Sequence, residues 1–536
     1  MPPARWRAPH GMKFAKCRPI AASAHDPRRT ITEGSVTSTS NAPPRSLIGI
    51  AGLDQVLGGG LPSGHLYLVD GKPGSGKTTM ALQFLLSGRD LGEPVLYVTL
   101  SETTAELRGV AQSHGWSLDR VELFELGTDV EESPGETYTL FHPAEVELQR
   151  TLGSLFASVE AHNPKRVVID SLSELRLLAR ESLRFRRQIL ALKHFFAKRD
   201  CTVILIDDRS SPEGDLQLQS IAHGVILLEH LALEYCAERR RLQVRKLRGV
   251  PYRGGYHDFR ICTGGIVVYP RIRRIEPPAD VDGRLVQSGS AELDQLLGGG
   301  LARGTSTLLT GAAGTGKSII ATQYARAAAA RGERVMLYMF DERITTFHMR
   351  AKALGIDLAR ELASGHLTIK QVEPTDFSPG EFAANVVRAV DEDHVDLVII
   401  DSINGYMQSM PEERLLGVQM HELMSYLANR EVSSIMTLVQ RGIFGGPADE
   451  SVDVSYLADT VILLRYFEFQ GSVRQAMSVV KKRSGRHERT IREFRVQTGG
   501  IVVGDPLVEF QGVLTGVPEY SGPQSPLMHH PSAGRS

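Results

Sequence analysis

Cysteine is scarce. Only four occur in 536 residues, Cys17, Cys201, Cys236 and Cys262, with no Cys-x-x-Cys pair and no histidine at metal-ligand spacing. That pattern excludes a disulfide framework and a thiolate zinc site, and leaves reduced, mostly buried thiols. Long apolar runs are missing too. None approaches the ~18 residues that a membrane span requires, and no signal-peptide core precedes the first apolar-periodic segment, so a soluble, cytoplasmic protein is expected. Charge of one sign is also lacking: 61 Lys plus Arg stand against 62 Asp plus Glu, a net charge of -1. No global basic excess therefore favours nucleic acid or an anionic membrane, although a basic pore inside a neutral protein stays compatible with this balance.

What the sequence does have is repetition. The phosphate-loop pattern G-x-x-x-x-G-K-[ST] stands twice, as GKPGSGKT from Gly71 to Thr78 and GAAGTGKS from Gly311 to Ser318, each after the same lead-in, LDQVLGGGL or LDQLLGGGL. With glycine at roughly 7% of residues, one match arises by chance in about 1 of 50 chains of this length. Two in one repeated context are not chance. Lys317 follows Lys77 by 240 residues, and Asp294 follows Asp54 by the same interval, so the repeat unit is a whole domain. Segments 46–270 and 286–505 are expected to form the two domains, joined by a linker over 271–285 that contains Pro277-Pro278. The Pro-, Ser-, Thr- and Arg-containing segment 1–45 is expected to be a disordered extension. Its arginines superficially resemble a transit peptide, and Met12 is an alternative start. Segment 506–536, rich in Pro, Gly and Ser, reads as a flexible C-terminal tail.

Within each half, short apolar runs alternate with helical patterns: HLYLVD, PVLYVTL, RVVIDSL and CTVILIDD in the first, TSTLLTG, RVMLYMF, LVIIDSI and SSIMTLVQ in the second. Val-, Ile- and Leu-rich runs separated by amphipathic helices predict an α/β fold, here two tandem P-loop NTPase domains, each a mainly parallel sheet with helices on both faces.

The chemistry follows from the motifs. Backbone amides of Gly71, Lys72, Pro73, Gly74, Ser75, Gly76, Lys77, Thr78 and Thr79 (of these only Pro73 lacks an N–H), and of Gly311, Ala312, Ala313, Gly314, Thr315, Gly316, Lys317, Ser318 and Ile319, are placed to turn around phosphates. Lys77 and Lys317 then reach the terminal phosphates, and Thr78 and Ser318 offer hydroxyls to Mg2+. A nucleotide-bound Mg2+ is usually also held by an acid at the end of an apolar strand. Asp170 and Asp401 fit, each followed by serine; a strand-ending Asp also serves as a helix N-cap, and the repetition favours the metal reading. Hydrolysis further needs a carboxylate near the terminal phosphate. Glu102, after Ser101, and the pair Asp341-Glu342 are the candidates, the alternative being an acid in a first helical turn. Late in each half a basic strand carries Lys-x-Arg, Lys246 with Arg248 and Lys481 with Arg483; by itself this reads as a solvated strand edge.

Over about residues 46 to 503 the chain resembles the KaiC family of RecA-type ATPases, through the lead-ins, both loops, both Asp-Ser strands and both basic strands. The resemblance implies tandem RecA-like domains that bind ATP with Mg2+, an autokinase activity, and a homohexamer with nucleotide at the subunit interfaces. It implies that Lys246, Arg248, Lys481 and Arg483 act on the neighbour's terminal phosphate, as an arginine finger does. The paired glutamates of the clock proteins correspond to Ser101-Glu102 and Asp341-Glu342, so Ser101 marks a lost acid in the first half. The family's Ser-Thr phosphoacceptor pair falls on Ser455 and Tyr456, which keeps Ser455 as the acceptor candidate. No match to the family's partner-binding tail is found, and a signalling partner other than the clock partners is expected. The rival readings are a RecA- or DnaB-like DNA-dependent motor, disfavoured by the balanced charge, and a non-hydrolysing ATP-binding scaffold, suggested by Ser101.

Overall fold

A computed structural model describes residues 44–126, 143–208, 215–232, 238–273, 275–277, 283–373, 377–408, 416–440, 455–514 and 519–522. Most of the N-terminal extension and the end of the tail lie outside the described residues. The chain divides into two compact units whose boundary falls between Arg271 and Ile272.

Each unit contains a nine-stranded sheet. In the first, the loop strand Leu66–Gly71 lies between Thr202–Asp207 and Gly224–Leu231, and the sheet continues past Thr202–Asp207 through Arg166–Asp170 and Val95–Thr99 to Glu122–Glu125. These six strands are parallel; Arg239–Leu247, Tyr256–Cys262 and Gly265–Tyr269 then extend the other edge antiparallel. The second unit repeats the plan, with Ser306–Gly311 between Ser433–Val439 and Thr460–Phe469, and Leu397–Asp401 and Val335–Met339 beyond. This is the mainly parallel arrangement that the apolar runs predict.

Alternation along the strands shows why both faces are covered. Tyr67, Val69, Val95, Tyr97, Val168 and Ile204 belong to one buried cluster, with the helix Lys77–Asp90. Their sequence neighbours Leu66, Leu68, Leu96, Val98, Val167 and Val203 belong to another, with the helices Pro143–His162 and Ser182–Ala197. Successive side chains of a strand point to opposite faces, so a run apolar at every position requires a layer of helices on each side. The repeated lead-in aspartates pin backbone. Asp54 accepts from the amides of Ile48 (2.8 Å) and Gly49 (3.1 Å), and Asp294 accepts from Ser288 (2.8 Å). Burial nevertheless pushes the Asp54 carboxyl up to about 6.

One expectation changes. The segment from Pro506 reads as a mobile tail, yet Phe510–Gln511 pairs with Glu519–Tyr520, and Val513 is 1% exposed. The strand Thr460–Phe469 runs five residues past the level of Gly311, and Phe467 and Phe469 on that overhang meet Phe510 with ring centroids 5.4 and 5.0 Å apart. Tyr520 stacks on the same cluster, 5.0 Å from Phe469. Apolar area on the overhang draws the chain back, overriding its Pro-Gly-Ser composition.

Candidate active sites

Both phosphate loops join a buried strand to a helix beginning at the motif lysine. Gly76 and Gly316 precede those helices with φ of 97° each, in the left-handed region. That left-handed φ calls for glycine, and a Cβ at Gly76 would also press on Ile261 Cδ1, 2.8 Å away on the neighbouring antiparallel strand. The amides that follow point out of the helix N-terminus, where an anion is stabilised. The side chains of Thr79 and Ile319 are engaged within the fold. Thr79 Oγ1 lies 3.5 Å from His114 Nε2, and Ile319 packs on the core of its domain.

The lysines lie along their loops. Lys77 Nζ donates to the carbonyls of Gly71 (2.7 Å) and Lys72 (3.0 Å), and Lys317 Nζ to those of Gly311 (2.9 Å) and Ala312 (2.6 Å). Their surroundings differ. Lys77 also pairs with Asp208 at 2.9 Å. Lys317 has no ion pair among the described residues, and burial holds its ammonium down to about 8, against a partial lift from Asp401.

The hydroxyl after each lysine meets the strand-end aspartate. Thr78 Oγ1 donates to Asp170 at 3.3 Å, and Ser318 lies near enough to Asp401 to help hold its carboxyl down. Burial raises both carboxyls above the usual range, opposed by these hydroxyls. The N-cap of the helix Leu172–Ala179 is Ser171, so Asp170 is free to face the loop. The peptide bonds Asp170–Ser171 and Asp401–Ser402 are both cis. Each aspartate takes a further donor that sequence reading missed. The Tyr97 hydroxyl donates to Asp170 at 2.5 Å, and Thr437 Oγ1 donates to Asp401 at 2.5 Å. These partners stand on opposite flanking strands, with Tyr97 on Val95–Thr99 and Thr437 on Ser433–Val439.

Glu102 stands outside the following helix. Thr103 caps that helix in a reciprocal box with Glu106, which supplies the first-turn acid instead. Glu102 Oε2 is buried without a hydrogen-bond partner among the described residues. Burial raises its carboxyl, with Asp170, Glu106 and Asp208 adding in that direction. Glu342 is held by Arg350 (2.6 Å), and Asp341 accepts from Ser402 Oγ. In the first half Ser101 stands in place of that aspartate, and the corresponding hydroxyl, Ser171 Oγ, is buried with no hydrogen-bond partner among the described residues. The lost acid therefore leaves a polar group unsatisfied.

The basic strands do not meet the loops of their own domains. Lys246 pairs across the sheet with Val225, which is level with Leu68, three residues short of Gly71 and two strands away. That is about 10 Å along the sheet and about 10 Å across it. Lys246 Nζ donates to the carbonyls of Gln219 (2.5 Å) and Ala222 (2.8 Å), and Arg248 to that of Ser220 (2.9 Å). Lys481 is likewise level with Leu308, and donates to the carbonyls of Ser455 (3.0 Å) and Ala458 (2.7 Å), while Arg483 pairs with Asp459 (3.3 Å). Ser455, itself exposed, opens a 3-10 turn, Ser455–Leu457, whose last residue is buried.

A mainly parallel sheet whose central strand ends in a Gly-Lys-Thr/Ser loop, with a strand-end aspartate beside that hydroxyl, defines a P-loop nucleotide-binding domain of RecA type, present here twice. Comparison with known proteins narrows the class. The family model described as "ATPase: KaiC" matches residues 47–273 and again 286–508. The chain belongs to the KaiC ATPase family and is an ATP-binding protein of that kind. It is 27% identical over 482 residues to the circadian clock protein KaiC3 of Synechocystis sp., covering 88% of this chain and 94% of that one. It is 27% identical over 520 residues to the circadian clock oscillator protein KaiC of Synechococcus elongatus, covering 91% and 95%. No helix among the described residues is long and apolar enough to cross a membrane.

Proposed function

We propose that this chain is a Mg2+-dependent ATPase with two nucleotide sites, that it works as a homo-oligomer, a hexamer by family analogy, and that its second domain phosphorylates itself at Ser455. The observation that carries the reading is the hydrogen bond of a loop hydroxyl to a strand-end aspartate, Thr78 to Asp170, with Ser318 and Asp401 close together at the matching places of the second loop. That pair is the donor set a nucleotide-bound Mg2+ takes, one hydroxyl and one carboxylate, with the remaining positions left for phosphate and water. Held by these residues, the ion would supply positive charge against the phosphates. The chain's own residues do the rest. Lys77 and Lys317 turn from their loop carbonyls to the terminal phosphate, Glu102 and Glu342, with Asp341, orient the attacking water or hydroxyl, and the loop amides hold the phosphate chain.

The position of Lys246, Arg248, Lys481 and Arg483 supports a role in trans. Displaced from their own loops and held by nearby carbonyls and Asp459, they would exchange these partners for an adjoining subunit's nucleotide, which would make activity depend on assembly. The contact of Lys481 with the Ser455 carbonyl supports an acceptor facing that same neighbouring site. A second reading applies to the first domain alone. Ser101 and the unsatisfied Ser171 favour a site that binds ATP but hydrolyses it slowly.

The test is incubation of the purified chain with γ-labelled ATP and Mg2+, with and without single-stranded DNA. Free phosphate is expected from the wild type, label on the peptide carrying Ser455, and none of that label after Ser455→Ala. Lys77→Ala and Lys317→Ala should each remove one of two bound nucleotides per chain. Unchanged occupancy in either would refute the site assignment, label that survives Ser455→Ala would refute the acceptor, and stimulation by DNA would favour a motor.

A further inference from the structure

Asp207 and Asp208 end the strand between the loop strand and the Asp170 strand. Asp207 is 1% exposed and paired with Arg176 at 2.5 Å, so its charge is answered inside the domain. Asp208 faces the loop instead. One carboxylate oxygen lies 2.9 Å from Lys77 Nζ, and the other accepts from Ser173 Oγ at 3.2 Å. With the Gly71 and Lys72 carbonyls, Asp208 completes three partners for an ammonium that has three protons to donate. A terminal phosphate reaching this lysine must displace one of them. The carboxylate is the partner that competes as an anion, and once displaced it stays in electrostatic range of Asp170 and Glu102, beside the incoming polyphosphate.

The second site lacks this arrangement. Sheet register pairs Asp70 with Asp207 and Thr310 with Leu438, so Val439 stands where Asp208 stands. Asn404, at the place of Ser173, bonds the Val439 backbone instead.

We propose that Asp208 sets the nucleotide affinity of the first site. Its carboxylate pairs with Lys77, exchanges with the terminal phosphate on binding, and so makes the first site the weaker of the two. Asp208 acts through Lys77 and is a positioning residue. The inference rests on the reading of Gly71–Thr78 as an ATP site.

The experiment uses the full chain carrying Lys317→Ala, so that only the first loop binds, and measures ATP affinity and stoichiometry by calorimetry with Mg2+. Asp208→Asn in this background, nearly isosteric and uncharged, is expected to lower Kd about tenfold or more, the size of a hydrogen bond to a charged group. Asp208→Glu, which keeps the anion, is expected to leave binding weak. Loss of a merely structural contact would weaken binding, so tightening is the distinguishing sign. One ATP per chain with a Kd unchanged or raised by Asp208→Asn overturns the role of Asp208 alone. No ATP bound by the folded Lys317→Ala chain overturns the loop assignment, and this inference with it.

Discussion

Lys317 gives the second site a pH signature. Burial lowers its ammonium from the ordinary 10.5 to about 8 in the empty loop. Phosphate oxygens arriving at the same nitrogen would favour the charged form and restore a pKa well above that. Binding therefore takes up a proton whenever the empty lysine is neutral. At pH 8.5 roughly 0.8 proton per ATP is expected, and between pH 7 and pH 9 the Kd should rise about tenfold. The sign for stability runs the same way. A lysine whose folded pKa is depressed burdens the empty fold while it is charged, so the empty second domain should gain stability as pH rises from about 8. The assay is titration calorimetry on the Lys77→Ala chain, in two buffers of different ionisation enthalpy, at pH 7 and pH 8.5. ATP is itself fully ionised at the higher pH, so proton uptake there reports the protein. An uptake below about 0.2 proton at pH 8.5, or a Kd that does not move between pH 7 and pH 9, would refute the reasoning.

Three further outcomes are expected. Tyr97→Phe removes the 2.5 Å bond to Asp170; in a Lys317→Ala chain the Mg2+ midpoint for hydrolysis should rise about tenfold or more, as for other partners that orient a metal-holding carboxylate, and an unmoved midpoint counts against the assignment. Ser101→Asp gives the buried Ser171 hydroxyl the acceptor that Ser402 finds in Asp341; phosphate release from the first site should increase by about tenfold or more, whereas no change would show that this acid is not limiting. Phe510→Ala opens the aromatic cluster on the strand overhang; the second domain should lose about 2 kcal/mol in denaturant unfolding, and a loss under about 0.5 kcal/mol would mean that the segment after Pro506 adds nothing to the fold.

How legible each feature was depends on whether its cause is local in sequence. The loops are local: eight consecutive residues carry the glycines, the lysine and the hydroxyl, and the apolar runs around them carry the parallel sheet. Asp170 and Asp401 are nearly so, because a run such as RVVID ends in one acid. Tyr97, Thr437 and Asp208 are different. Each acts on a residue 36 to 131 positions away, brought beside it only by the order of strands in the sheet. The double acid ending CTVILIDD was visible as a strand end, but nothing in the string says that this strand lies against the loop strand. The C-terminal segment misled for the opposite reason. Its composition describes solvent-exposed chain, whereas Phe510 and Tyr520 respond to Phe467 and Phe469, about 40 residues earlier and on an overhang set by strand length.

The same distinction separates the two sites. Duplication kept the local motifs, so Lys77 and Lys317, Thr78 and Ser318, Asp170 and Asp401 occupy matching places. The residues around them diverged: Tyr97 from one flank anchors Asp170, Thr437 from the other flank anchors Asp401, an acid lost at Ser101 stands as Asp341 in the second half, and an acid present at Asp208 is Val439 there. These partners set how tightly the lysine and the carboxylate are held without entering the motif. The two loops can therefore read as one sequence pattern and still differ in the groups that surround the lysine and the carboxylate.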